Sequence, residues 1–246
     1  MPDRKTEDFN CAKCGFKEKL CVSEEGKGPP WCPTQHRERV RTAAMQKYED
    51  PEVREFARLA SVQEGACYAA RDSVPFVPIP TKSRLEELIE FSRRLGFKRL
   101  GMAFCGGLMH EAALLGDLLE RQGFEVISVS CKVGRVPKEA IGVKDDEKIR
   151  IGCFESMCNP ITQALMLNEA RTDFNILLGL CIGHDALFLK YVEGMTTVFA
   201  VKDRVTGHNP LAPLYTSRSY YQRLAMDGGP HRRSNSPASR RGTSTT

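Results

Sequence analysis

From residue 83 onward the chain alternates four times between a helix-like segment and a short apolar one, and few architectures accept that order. SRLEELIEFSRRL, residues 83–95, is amphipathic and stops at Gly96, after which KRLGMAFC reads as a strand. LMHEAALLGDLLERQ stops at Gly123 before the strand FEVISVSC. Asn159 and Pro160 cap ITQALMLNEAR, which leads to FNILLGLC, and DALFLKYV precedes TTVFAVK. Helices of ~11 to 15 residues between short apolar strands predict an α/β fold built from right-handed crossovers. The expected product is a small parallel sheet of about four or five strands with helices on both faces.

Upstream of that alternation the signals change. TQHRERVRTAAMQKYE, residues 34–49, contains no breaker and predicts a helix. Asp50 and Pro51 then form a restart, with an N-cap carboxylate and proline at the first helical position. The helix they open runs through PEVREFARLASVQEGACYAARD and sets Val53, Phe56, Ala57 and Ala60 on one core-facing stripe. SVPFVPIP carries three prolines and predicts an extended entry to the main fold.

The chain has ten cysteines in 246 residues, below the density of a disulfide scaffold and in a chain large enough to bury a core. In a reducing compartment such thiols point to metal or redox chemistry. Cys105, Cys131 and Cys181 each follow a predicted strand directly. The carboxyl ends of parallel strands line one edge, where open α/β sheets bind ligands, so these three thiols are expected to converge. Cys153 and Cys158, in the intervening GCFESMCNP, extend the expected cofactor-binding set, against the alternative that buried cysteines merely fill the core. Gly106 and Gly107 after Cys105, and Gly183 after Cys181, allow close approach of a ligand to backbone or simply satisfy a turn. His184 offers a ligand or an acid/base, with Asp185 as its carboxylate neighbour or as a helix N-cap. KDRVTGHNP adds Arg204 and His208 on the same edge, and the catalytic candidates are thus Cys105, Cys131, Cys181, His184, Asp185, Arg204 and His208.

Cys11, Cys14, Cys21 and Cys32 are spaced C-x2-C-x6-C-x10-C in a polar segment with too little apolar content to fold on its own core. Two cysteines two residues apart chelate one ion through a tight knuckle, and two more complete a tetrahedral thiolate site, whose binding energy would order the segment. Zn2+ is the first expectation there. An iron-sulfur cluster, which also takes four thiolates and often closes with Cys-Pro, is the alternative at this site or at the strand ends, and four unliganded thiols remain the third reading.

The motifs CAKCGFKEKLC, WCP, CNPITQALMLNEARTDFNILLGLCIGHDALF and DRVTGHNPLAPLY resemble a family of uncharacterised prokaryotic proteins described as metal-binding. The resemblance covers about Cys11 to Tyr215 and stops short of the tail. It implies metal binding through cysteine and implies no reaction.

Net charge is +5, of which the last 22 residues hold +3 through Arg232, Arg233, Arg240 and Arg241 against Asp227. A nearly neutral body argues against a nucleic-acid footprint. No apolar run approaches a membrane span, and the charged N-terminus lacks a signal-type apolar region, so a cytoplasmic location is expected. The expected organisation is a four-cysteine metal module at 1–33, a helical connector at 34–80, the α/β domain at 81–224 and a disordered basic tail at 225–246. The expected partners are a metal ion and an unidentified small molecule or redox partner, in a metal-binding protein with a redox or thiol-dependent step. The rival is a zinc-stabilised binding or regulatory module without catalysis.

Overall fold

Residues 9–226 are described by the computed structural model, which divides into two units, Met1–Lys82 and Ser83–Thr246. The basic tail expected at 225–246 lies, beyond its first two residues, outside the described residues.

The first unit begins with a 3-10 turn at Cys11–Lys13, followed by a loop in which the Leu20 amide donates to the Lys27 carbonyl at 3.0 Å and the Lys27 amide to that of Glu18 at 3.0 Å. Helices α1 (Pro33–His36), α2 (Glu38–Lys47) and α3 (Pro51–Ala66) follow, and the two-residue strands β1 (Tyr68–Ala69) and β2 (Ile79–Pro80) pair antiparallel. The Asp50 carboxylate accepts from the amides of Glu52 and Val53, the restart that the sequence predicts. The continuous helix expected over 34–49 is interrupted at Arg37, whose backbone leaves the helical region and whose guanidinium donates to the His36 carbonyl at 3.3 Å. Helix α3 is likewise shorter than expected. It ends at Cys67, whose carbonyl is taken by the Thr81 amide and hydroxyl, and Tyr68 and Ala69 pair with β2 instead of continuing the helix. Among the described residues of this unit only Pro29, Cys32, Gln63 and Cys67 are buried, so apolar burial contributes little to ordering it.

The second unit alternates as the sequence predicts. Its elements are α4 (Arg84–Arg94), β3 (Arg99–Phe104), α5 (Met109–Arg121), β4 (Glu125–Ser130), α6 (Pro160–Glu169), β5 (Phe174–Leu180), α7 (His184–Tyr191), β6 (Thr196–Val201) and the short α8 (Ala212–Tyr215). Ser83 and Glu86 form a capping box at α4, and the Asn159 side chain caps α6 above Pro160. Strands β3 to β6 form one parallel sheet in the order β4-β3-β5-β6. The chain therefore crosses from β3 to β4 on one side and returns past β3 to β5 on the other, which makes the β3/β5 boundary the point where the winding reverses.

Helices cover both faces. Met102, Phe104, Ile176 and Leu178 are buried on the side of α4 and α5, where Phe174 stacks on Phe97 and meets Phe91 edge-on. Ala103, Val129 and Leu177 are buried on the other side, in one cluster with Ala164 and Leu167 of α6 and Phe188 of α7. Strand β5 is buried along its whole length, as a central parallel strand between two helical layers must be. Gln163, fully buried on α6, donates through its amide nitrogen to the carbonyls of Phe104 and Val129 at 3.2 and 2.7 Å, tying together the ends of β3 and β4. Gln163→Leu keeps the volume and removes both bonds. The expected loss is ~1–2 kcal/mol, read as a fall of roughly 2–8 °C in the thermal midpoint.

Candidate functional site

The first residue after β3, β4 and β6 stays in the ladder. The Cys105 amide donates to the Leu178 carbonyl at 3.1 Å, that of Cys131 to Phe104 at 2.9 Å, and that of Lys202 to Leu180 at 3.1 Å. Backbone bonds thus fix Cys131, Cys105 and Lys202 along the carboxyl edge, at the ends of β4, β3 and β6, before any side chain is considered. Cys105 and Cys131 are 8% and 2% exposed and belong to the buried cluster under α6, against which the partly buried Cys158 also packs.

Cys131 is the middle member of this trio, in hydrogen-bonding contact with Cys105 and with Cys158, and its sulfur accepts the Gly106 amide at 3.2 Å. Three thiols in contact cannot all ionise. The bond from Cys131 holds Cys105 well below the ordinary thiol range against the cost of burial, helped by the Gly107 amide and the Lys202 ammonium. The same thiol lowers Cys158, with Lys132 and His184 assisting. Cys131 itself is pushed up by its two neighbours and by burial, and remains the proton carrier of the group. The Lys202 ammonium reaches over the winding reversal to Cys105, and both lie beside Gly107, whose Cβ position is 3.4 Å from Lys202 Nζ and 3.9 Å from Cys105 Sγ.

Cys158 joins through the long connection between β4 and α6. Its amide neighbours close that connection on itself, with Met157 donating to Val136 and Asn159 to Cys131, both at 2.8 Å. Lys138 and Glu155 form an ion pair at 2.6 Å across it, and Lys132 Nζ donates to the Ser156 carbonyl at 2.6 Å. Cys153 lies exposed on the same connection.

Cys181 meets a different partner: Arg204 Nη2 lies 3.1 Å from its sulfur. The loop that presents Arg204 is held by Asp203, whose carboxylate accepts from the amides of Val205 and Thr206 at 2.9 and 3.0 Å. Those bonds, with the Thr206 hydroxyl foremost, hold the Asp203 carboxyl below the usual carboxylate range. His208 Nδ1 closes the same loop between the Asp203 amide and the Val201 carbonyl, a structural role for one expected catalytic candidate. Asp185 occupies the start of α7, accepting from the Gly183 and Ala186 amides, while Gly183 takes the N-cap position. His184 Nδ1 is buried with no hydrogen-bond partner among the described residues.

The N-terminal cysteines are not assembled. Cys11 and Cys21 are exposed, Cys14 is half-buried and Cys32 buried, and among the described residues no group of three or more His, Cys, Asp and Glu is set to hold a metal ion. Their chemistry still fits a tetrathiolate site: four thiols, a tight turn in which the Cys14 amide donates to the Cys11 carbonyl at 3.1 Å, and almost no apolar core around them. Cys67 is spoken for, donating to the Gln63 carbonyl at 3.1 Å.

Lys132 and Gln163 were invisible as site residues in the sequence, although Lys132, next after a strand-end cysteine, obeys the same edge rule. A family model described as a protein of unknown function, DUF1847, matches residues 32–199. The chain belongs to that family. The DUF1847 match spans every strand-end thiol, whereas Cys11, Cys14 and Cys21 precede it and Lys202, Arg204 and His208 follow it. An uncharacterized protein of Methanocaldococcus jannaschii is 50% identical over 147 residues, which are 60% of this chain and 73% of that protein. No solved structure matches this DUF1847 chain. No helix among the described residues is long and apolar enough to cross a membrane.

Proposed function

We propose that the α/β unit carries a thiol–disulfide centre acting on a small disulfide, with Cys105 as attacking thiolate, Cys131 as resolving thiol and Cys158 as the base that takes the Cys131 proton. The observation that carries this reading is the contact of Cys131 with both Cys105 and Cys158 at the carboxyl ends of β4 and β3, among Lys202, Lys132 and His184. The thiolate is the reactive form of cysteine, and this surrounding favours it.

The steps balance. Cys105 attacks one sulfur of the substrate disulfide, that S–S bond breaks, and the other sulfur leaves as a thiolate. Its charge spent, Cys105 no longer accepts the Cys131 proton, which passes to Cys158. Cys131 then attacks Cys105 Sγ and releases the second substrate sulfur. Two electrons pass from the Cys105/Cys131 dithiol to the substrate. A reducing compartment, the cytoplasm, would return the pair to thiols.

The Cys11, Cys14, Cys21 and Cys32 segment is proposed as the metal-holding part. Its all-sulfur donor set suits Zn2+ or an iron-sulfur cluster, which would give residues 9–36 the order that burial does not supply. Cys14→Ser is expected to cost the chain its metal by elemental analysis and leave the α/β unit folded.

The test of the thiol reading uses hydroxyethyl disulfide, a neutral oxidant, on fully reduced protein, followed by peptide mapping. The expected product is a disulfide that includes Cys131, with Cys105→Ser blocking its formation. If all three thiols survive conditions that modify the exposed Cys153, the centre is inert packing and the rival reading, a metal-stabilised binding module, takes its place.

A further inference from the structure

Lys202 and Arg204 have no carboxylate partner among the described residues, although ion pairs form elsewhere, as between Lys138 and Glu155. Both lie beside thiols at the carboxyl edge: Lys202 across the winding reversal at Cys105, Arg204 at Cys181, on the neighbouring strands β3 and β5. Lys202 faces the Cys105 thiolate and Arg204 is exposed to water, so both side chains can meet a further negative charge brought by a substrate. Gly107 lies beside both groups, its Cβ position being 3.4 Å from Lys202 Nζ and 3.9 Å from Cys105 Sγ, and the Asp203 and His208 bonds spend their polar groups on the loop that carries Arg204. The other anion-favouring feature nearby, the start of α7, is already filled by Asp185. Lys132, the third cation at the edge, is tied to the Ser156 carbonyl on the side of β4.

We infer that the carboxyl edge at the β3/β5 boundary binds the acidic group of a small anionic disulfide, with Lys202 and Arg204 recognising its negative charge and Cys105 facing its reactive sulfur. This rests on the thiol reading above and adds the substrate class to it: an anionic small molecule, carboxylate-sized at its charged end, in place of a neutral or cationic one. Arginine presents a planar fork suited to a carboxylate, and lysine a point charge.

Two alkylating agents of nearly equal size separate the two claims. Iodoacetate is anionic and iodoacetamide neutral, and their rates at Cys105 are followed by peptide mass spectrometry on the full reduced chain, with free cysteine as reference. The ratio of the iodoacetate rate to the iodoacetamide rate at Cys105 is expected to exceed that at free cysteine by about tenfold or more, the lower range of electrostatic focusing. Inorganic sulfate is expected to slow iodoacetate selectively. Lys202→Met and Arg204→Met are each expected to lower the ratio and Lys202→Arg to retain it, which separates charge from folding. A fast reaction with both agents and a ratio equal to that of free cysteine overturns the anion site and leaves the thiol centre standing. Slow reaction with both overturns the two together.

Discussion

The alkylation of Cys105 by iodoacetamide is expected to hold a nearly constant rate from pH 8 down to pH 6. Over the same interval a free thiol, with a pKa of about 8.5, loses almost two orders of magnitude in rate because its thiolate fraction collapses. The sign follows from the direction of the shift. Cys105 is held below the ordinary thiol range by the Cys131 hydrogen bond, then by the Gly107 amide and Lys202, so it stays anionic as protons become available. The groups around it that titrate or carry charge are Cys131, Cys158, Lys132, Lys202 and His184, and of these Cys131 has the largest effect. Cys131→Ala is therefore expected to restore most of the ordinary pH dependence. A wild-type profile that tracks free cysteine would show that the trio is protonated throughout and would remove the nucleophile from the proposed reaction.

Gly179→Val is expected to lower stability by ~2–5 kcal/mol. Gly179 sits in β5 with φ +67°, in the left-handed region, where a β-branched residue is strained by ~1–2 kcal/mol. A Cβ at this position would also overlap Leu108 Cδ1, and overpacking a filled core costs ~1–3 kcal/mol. The register between β5 and β6 slips between Leu177 and Leu178 and again across Gly179, between Leu178 and Leu180. For a unit of this size the loss corresponds to a fall of roughly 4–20 °C in the thermal midpoint, measured by circular dichroism. Leu108 ends the Gly106–Leu108 turn that follows Cys105, so the milder Gly179→Ala is expected to slow Cys105 alkylation as well. An unchanged midpoint for the valine variant would mean that β5 does not bend at Gly179.

Much of this was legible in the chain. Helix and strand periodicities gave the α/β class and, through Gly96, Gly123, Ser83 and Asn159, most element ends, because those signals are local. The strand-end positions of Cys105, Cys131 and Cys181 followed from the same alternation. What periodicity does not encode is which strands are neighbours. The order β4-β3-β5-β6 sets Cys105 beside Cys131 and makes Lys202 and Arg204, two and more strands away in sequence, the cations of the crevice. Cys153 and Cys158 looked equivalent in GCFESMCNP, and only the folding of the connection, through Lys138–Glu155 and the Met157–Val136 bond, carries one inward and leaves the other in solvent. The break at Arg37 had no signal, since neither glycine nor proline stands there.

A sulfur atom forms one disulfide at a time, and Cys131 touches two possible mates. Joined to Cys105, it would fasten the tips of two adjacent strands and leave the connection to α6 an open chain. Joined to Cys158, it would close that connection into a covalent ring of about 28 residues, restricting its unfolded forms by an amount that grows slowly with ring size. The same three atoms thus give the oxidised chain two mutually exclusive topologies, one that locks the sheet and one that locks its longest crossover.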